Sequence, residues 1–199
     1  MRLSIAIPAF NEGAHIERIV REIHDELQKV ESDFEIIVVD NGSTDNTQTV
    51  LMPLTKQMPR LWICRVFPNR GYGNGVLEGL AAARGDIVGW TAGDGQVRAV
   101  DLRGMYEKMR REGAIFYKVK RTVRHDGILR VVQSNMYNFI FHALFPSSIG
   151  RVSDINGHPK LFQRSFYESA DLASADWFID AEIIIKALRS GTPIREYPV

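Results

Sequence analysis

An α/β fold on a mostly parallel sheet, flanked by helices, is what this sequence predicts, on two observations. Short apolar runs rich in β-branched residues alternate with segments of helical periodicity through the first half of the chain. Each run also ends in a polar or glycine-rich turn, as happens when parallel strands all point toward one ligand-binding edge. The composition permits such a fold. A chain of 199 residues with 45% hydrophobic and 25% charged content is ordinary for a globular protein, which excludes disorder and collagen-like repeats. One domain of this length buries a sizeable core without staples.

Residues 3–7 form the first strand, closed by Pro8. The helix that follows takes Asn11 as its N-cap and sets Ile16, Ile19, Val20, Ile23, Leu27 and Val30 on one face. Residues 34–39 are almost continuously apolar, as suits a parallel strand covered on both faces. Asp40-Asn41-Gly42-Ser43-Thr44-Asp45 is a turn and cap cluster opening a second helix, which Pro53 is expected to interrupt. Residues 61–66 are the third strand, with Cys64 as small core filler; 73–83 are a helix of small residues, and 87–91 the fourth strand. Beyond Gly95 the alternation loosens. Residues 100–112 read as helix, 115–119 as strand, 181–190 as a helix stopped by Gly191, and 194–199 as extended chain. The segment 131–145 differs. Its apolar arc is wider than the roughly 100° stripe of a surface helix, so it reads either as an interfacial membrane helix or as buried core or dimer face.

Several functions are excluded at this level. Lys and Arg number 25 against 24 Asp and Glu, so no net field draws the chain to nucleic acid. A single cysteine rules out an internal disulfide framework and a multi-cysteine zinc site, and fits a cytoplasmic setting. The start shows no signal-peptide pattern, and no stretch of about 18 apolar residues is present to span a bilayer. Gly71-x-Gly73-x-Gly75 departs from the dinucleotide fingerprint because Val76 stands where a third glycine belongs, and no P-loop occurs.

Chemistry is expected where the strands end. Pro8-Ala9-Phe10-Asn11-Glu12, Asp40-Asn41-Gly42-Ser43, Asn69-Arg70-Gly71-Tyr72-Gly73 and Ala92-Gly93-Asp94-Gly95-Gln96 follow the four strands and converge on one crevice. Arg121, Arg124 and Arg130, with Lys118 and Lys120, form a basic cluster whose simplest reading is a solvated strand edge. Asp180 and Glu182 stand at the start of the last helix, where they serve either as N-terminal charge or as a general base. His158 reads as a loop residue.

The motifs Ser4-Ile5-Ala6-Ile7-Pro8-Ala9-Phe10-Asn11-Glu12 and Glu35-Ile36-Ile37-Val38-Val39-Asp40-Asn41-Gly42-Ser43-Thr44-Asp45 resemble the opening signatures of family 2 glycosyltransferases. Asn69-Arg70-Gly71-Tyr72-Gly73, Ala83-Arg84-Gly85-Asp86 and Gly93-Asp94-Gly95-Gln96 continue in family order. Asp154-Ile155-Asn156-Gly157-His158-Pro159-Lys160-Leu161-Phe162, then Asp180-Ala181-Glu182, resemble the branch that contains dolichol-phosphate mannose synthases and bacterial polyprenol-phosphate sugar transferases.

The resemblance implies a single GT-A domain over 1–199, with a nucleotide-sugar half (1–96) and an acceptor half (97–199). It implies inverting transfer from a UDP- or GDP-sugar to a polyprenyl phosphate at the cytosolic membrane face. Pro8, Ala9, Asn11, Glu12, Asp40, Ser43, Asn69, Gly71 and Gly73 would hold the nucleotide. Asp94 and Gln96 would hold Mg²⁺ or Mn²⁺, although Ala92 stands where the family carries its first acid. Arg121 or Arg124 would grip a phosphate, Lys160 would be a second phosphate contact, and Asp180 with Glu182 would serve the acceptor. Two alternatives accompany this reading: transfer to a polysaccharide or other hydroxyl, and a weakly catalytic sugar-nucleotide-binding protein. A homo-oligomer is compatible with all three. Ile194-Arg195-Glu196-Tyr197-Pro198-Val199 also resembles that branch, whose members continue beyond this segment, so a fragment and a minimal chain are equally expected.

Overall fold

The computed structural model describes residues 2–95, 98–121, 152 and 154–199. The elements in chain order are β1 (Leu3–Ala9), α1 (Ile16–Gln28), β2 (Phe34–Asn41), α2 (Thr47–Gln57), β3 (Leu61–Val66), α3 (Tyr72–Ala82) and β4 (Ile87–Trp90). They continue with α4 (Ala99–Glu112), β5 (Phe116–Lys120), β6 (Lys160–Gln163), α5 (Arg164–Ala170), α6 (Ile179–Arg189) and β7 (Ile194–Pro198). The segment 131–145, with Arg124, Arg130 and Gln96, lies outside the described residues.

One sheet in the order β3-β2-β1-β4-β6-β5-β7 carries the whole arrangement. Its strands are parallel except β6, which runs antiparallel to both β4 and β5. The period-2 alternation of side chains splits the core into two layers. Leu3, Ile5, Ile7, Ile36 and Val38 face α1, α2 and α4, while Ala6, Ile37 and Val39 face α3, α5 and α6. Every residue of β2 is buried, the polar Glu35, Asp40 and Asn41 included, in line with its almost continuously apolar run.

The structure corrects the sequence reading at several points. β1 runs through Pro8 to Ala9. The even-numbered residues of β1 bond toward β4, as in the bond from the Thr91 amide to the Ala6 carbonyl, and the β1–β4 ladder stops at Ala6 and Trp90. The missing N–H of Pro8 therefore falls where no ladder bond is due. Asn11 does not cap α1, whose N-cap is His15. It adopts a left-handed φ of 58° and bonds instead to the loop after β2. Pro53 sits inside an uninterrupted α2. Both Pro53 and Thr49, whose carbonyl loses its partner to the proline, are exposed, so the loss falls on the solvent side of the helix. β6 and α5 had no counterpart in the sequence reading.

The small residues of α3 set how closely that helix lies on the sheet. A Cβ at Gly79 would come within 2.6 Å of the Ala6 Cβ and 3.0 Å of a Val39 methyl. Gly79→Val is expected to overpack this contact and cost about 1–3 kcal/mol, read as a lower denaturant midpoint.

Candidate active site

The carboxyl ends of β1, β2, β3 and β4 form one edge, and their turns are stitched to one another. The Asn11 side-chain oxygen accepts from the Thr44 amide at 2.8 Å, and the Asn11 amide donates to the Ser43 hydroxyl at 3.0 Å. The Glu12 amide donates to Thr47 Oγ1 at 2.9 Å, and the Gly13 amide to Asp45 at 3.1 Å. Asp45 also accepts from the Thr47 amide at the start of α2, and its bonds to Thr47 hold its carboxyl below the usual range. On the far side, the Asn41 amide group donates to the Gly71 carbonyl at 2.8 Å, and the Gly71 amide donates to Asn69 at 2.8 Å.

Within this frame Asp40 is 1% exposed. Its Oδ1 accepts from the Ser43 amide at 3.0 Å, while Oδ2 has no hydrogen-bond partner among the described residues. The Arg65 Nε lies 3.9 Å away, beyond hydrogen-bond reach. A buried carboxylate oxygen without a donor is a costly arrangement unless a ligand supplies one.

Asp94 occupies the turn after β4, and Gly93 allows that turn to lie against β1, its Cβ position 3.0 Å from the Pro8 carbonyl. The Glu12 carboxyl feels this neighbour: burial, then the charge of Asp94, push its pKa up. Among the described residues no cluster of three His, Cys, Asp or Glu side chains is arranged to hold a metal. One turn carboxylate with a second within its electrostatic reach fits a hard cation whose remaining ligands are phosphate oxygens and water.

Gly71 and Gly73 were expected to admit a nucleotide. The backbone that approaches them is the chain's own: a Cβ at Gly71 would lie 2.6 Å from the Ala175 carbonyl, and one at Gly73 would collide with the Ser174 and Asp176 carbonyls. The Asn74 amide donates to Ala175 at 3.0 Å, so the loop before α6 is fastened to the start of α3.

Beside that loop lies a buried polar box. Because β6 is antiparallel, its first residue, Lys160, pairs with Trp90 at the carboxyl edge of the sheet. Lys160 is fully buried, forms an ion pair with Asp180 in the first turn of α6, and places its ammonium 5.3 Å from the Trp90 ring centre. Burial lowers its pKa, against the pull of Asp180. His158 Nε2 stands 3.5 Å from the other Asp180 oxygen and 3.3 Å from the Tyr72 hydroxyl, which accepts from Trp90 Nε1 at 3.1 Å. Burial pushes the His158 pKa down to about 4. The loop residue of the sequence reading is thus a packed member of this box. Lys160, expected as a phosphate contact, has its charge engaged by Asp180.

A second charge network closes the β5 end. Lys118, read from sequence as part of a solvated edge, is fully buried, because β5 lies inside the sheet between β6 and β7. It donates to the Val119 and Asp154 carbonyls at 3.0 Å and pairs with Glu196 at 3.4 Å; burial pushes its pKa down to about 8. Arg121 holds Asp154 through Nε at 2.9 Å and Nη2 at 2.8 Å. Burial raises the Asp154 pKa, but the Arg121 bonds outweigh it and bring it to about 2. Glu182, read from sequence as N-terminal charge or a general base, accepts from the Ala173 and Ser174 amides at 3.1 and 2.8 Å and pairs with Lys186 at 3.1 Å. It ties down the loop before α6. The described helices include none long and apolar enough to cross a membrane.

Residues 4–170 match the sequence model of Glycosyl transferase family 2. The chain is 27% identical to the dolichyl-phosphate beta-glucosyltransferase of Saccharomyces cerevisiae, over 99% of this chain and 66% of that protein. It is 28% identical to the glycosyltransferase AglD of Haloferax volcanii, over 100% of this chain and 33% of that protein. It therefore spans between a third and two thirds of the length of these curated relatives. Its fold is that of the glucosyl-3-phosphoglycerate synthase of Mycobacterium tuberculosis, solved with Mn²⁺, uridine diphosphate and glucosyl-3-phosphoglycerate. The TM-score is 0.75 at 19% identity, over 100% of this chain and 70% of that one. The architecture is the GT-A fold expected from the sequence.

Two outcomes follow from the buried charges. Lys160→Met leaves Asp180 buried without its partner and is expected to cost roughly 3–5 kcal/mol, while the double variant Lys160→Met/Asp180→Leu recovers most of it, both read by urea denaturation. The folded pKa of Asp154, about 2, lies below its unfolded value of about 3.9, so its stabilisation is present above pH ~4 and lost as the pH falls toward 2. Urea midpoints of wild type and Arg121→Gln are therefore expected to differ most above pH ~4 and to converge below it.

Proposed function

Because the chain belongs to glycosyl transferase family 2, we propose that it transfers a sugar, with inversion, from a nucleoside-diphosphate sugar to a polyprenyl phosphate. One observation carries the choice of acceptor: the two carboxylates that the sequence offers as a base toward a hydroxyl, Asp180 and Glu182, are already engaged. Asp180 is 1% exposed and paired with buried Lys160, and Glu182 is bonded to two loop amides and Lys186. An acceptor whose nucleophile arrives ionised needs no base, and a phosphate monoester with a second pKa of about 6 is such an acceptor. The relative from Saccharomyces cerevisiae, named for a dolichyl phosphate, supports the same choice.

In this reading the halves 1–96 and 97–199 serve donor and acceptor. Asp40 accepts a hydrogen bond from the nucleoside on its unpartnered oxygen, within the frame of Pro8, Ala9, Asn11, Glu12, Ser43 and Asn69. Asp94, with Glu12 beside it, would hold Mg²⁺ or Mn²⁺, which supplies charge neutralisation for the diphosphate leaving group. Gln96, outside the described residues, completes that set by position. Arg121, its plane fixed by Asp154, or Arg124, which lies outside the described residues, would grip the acceptor phosphate. A phosphate oxygen attacks the anomeric carbon as the bond to the diphosphate oxygen breaks. The products are the glycosylated polyprenyl phosphate and the nucleoside diphosphate. The segment 131–145 would bring the site to the membrane surface, on the cytosolic side.

The test is transfer of labelled sugar from UDP-glucose and GDP-mannose, with Mn²⁺, to undecaprenyl or dolichyl phosphate. Transfer is expected, with a rate that rises through pH ~6 to a plateau as the acceptor phosphate ionises. Transfer to polysaccharide hydroxyls alone would replace the acceptor, and donor binding without any turnover would leave a sugar-nucleotide-binding protein. Asp40→Ala is expected to weaken donor binding by roughly ten- to a hundredfold.

A further inference from the structure

We propose that Trp177 is the platform on which the transferred sugar of the donor stacks, and so a residue that sets sugar specificity; this rests on the nucleotide-sugar reading above. Trp177 is 72% exposed, yet it is not a loose surface side chain. One face of its indole stacks on Tyr72, with centroids 4.4 Å apart and planes at 13°. Tyr72 is itself fixed by Trp90 and His158. The loop that carries Trp177 is fastened just before it to two helices, by Glu182 of α6 to the Ala173 and Ser174 amides and by the Asn74 amide of α3 to the Ala175 carbonyl. The Phe178 amide, next in the chain, donates to Asp176 at 2.9 Å. A large aromatic ring held rigid, with one face stacked and the rest of its area in water, offers a preordered flat surface to a ligand.

The order of the strands says which part of the donor that is. Across the carboxyl edge the sheet presents β2, β1, β4 and β6 in turn. Asp40, with its unpartnered oxygen, ends β2; Asp94 follows β4; Lys160 begins β6 and binds Asp180. A donor laid with its base at Asp40 and its diphosphate at Asp94 carries its sugar on toward β6. Tyr72 joins those two stations, because its hydroxyl meets Trp90 of β4 and His158 just before β6. Trp177 lies on Tyr72 at that point. Pyranose C–H bonds on one face of the ring carry partial positive charge, and the aromatic face is negative, so stacking suits the sugar and leaves its hydroxyls to be read elsewhere. A nucleobase would also stack, and the experiment separates the two.

Equilibrium binding of UDP-glucose against UDP, and of GDP-mannose against GDP, each with Mn²⁺, is measured for wild type, Trp177→Ala, Trp177→Phe and Phe178→Ala. For the pair that wild type binds, Trp177→Ala is expected to weaken the nucleotide sugar about tenfold while the nucleoside diphosphate changes less than about twofold. Trp177→Phe restores most of the loss, and Phe178→Ala, its exposed neighbour, loses neither ligand. Equal weakening of sugar and sugar-free ligands would move Trp177 to the base or to loop structure, and no change in either would overturn the platform. Wild-type protein that binds none of the four ligands would overturn the donor reading itself, and the platform with it.

Discussion

A lysine and an aspartate, both shut away from water at the edge of a sheet, constrain much of what surrounds them. Removing two charges from solvent costs several kcal/mol per ion, and their mutual attraction offsets that only with good geometry and further partners. Here the partners are present. Lys160 lies against the Trp90 ring, and Asp180 sits in the first turn of α6, where the helix dipole favours an anion. Both placements depend on topology. Only an antiparallel β6 puts its first residue, rather than its last, level with the end of β4. The pair is therefore a register mark. It fixes where β6 begins and where α6 begins, and so joins the second half of the chain to the edge built by the first.

The rest of the crevice follows a related rule, that loops bond to loops. The turn after β1 is held by the turn after β2, that turn reaches the one after β3 through Asn41, and the start of α3 holds the loop before α6. At the opposite edge the buried Glu35 binds Ser4, the Arg84 amide and the Arg84 guanidinium, closing the sheet where no ligand is expected. A frame already ordered by its own hydrogen bonds spares a ligand the entropy of ordering it. The polar groups that the frame leaves unmatched then carry information, and the Asp40 oxygen is the clearest of them.

The parts of this arrangement that local chemistry determines were legible in the sequence. Strands β1 to β4 announce themselves by apolar runs closed by turns, and the helices between them by their period. What failed was anything decided by a partner far along the chain. Asn11 looks like a helix cap because its preference is local, yet its bond goes to a residue 33 positions away. β6 is four residues long and begins with a lysine, so no hydrophobic pattern marks it, and the aspartate that makes that lysine burial tolerable is 20 residues on. Lys118 was misread for the same reason, its neutralising carboxylate lying on β7. At Gly71 and Gly73, expected from the resemblance to let backbone approach a nucleotide, the close neighbour in the structure is the chain's own loop, which the sequence did not announce. Trp177 carried no sequence signal, because an exposed tryptophan gains meaning only when something rigid holds it.

The near-zero net charge conceals how these charges are distributed. At the β5 and β6 end, the cations Lys118, Arg121 and Lys160 are matched internally by Glu196, Asp154 and Asp180. At the β1 and β4 end, Glu12 is raised by burial and by Asp94, so repulsion between carboxylates is already present. A nucleoside diphosphate brought to that edge adds more negative charge to a site that resists it. Electrostatics thus gives a reason, independent of any family motif, why a divalent cation would accompany the donor. In the proposed reading, one carboxylate in place of two would lower the repulsion as well as the ligand count, so the alanine at position 92 would weaken the demand for a metal together with its grip.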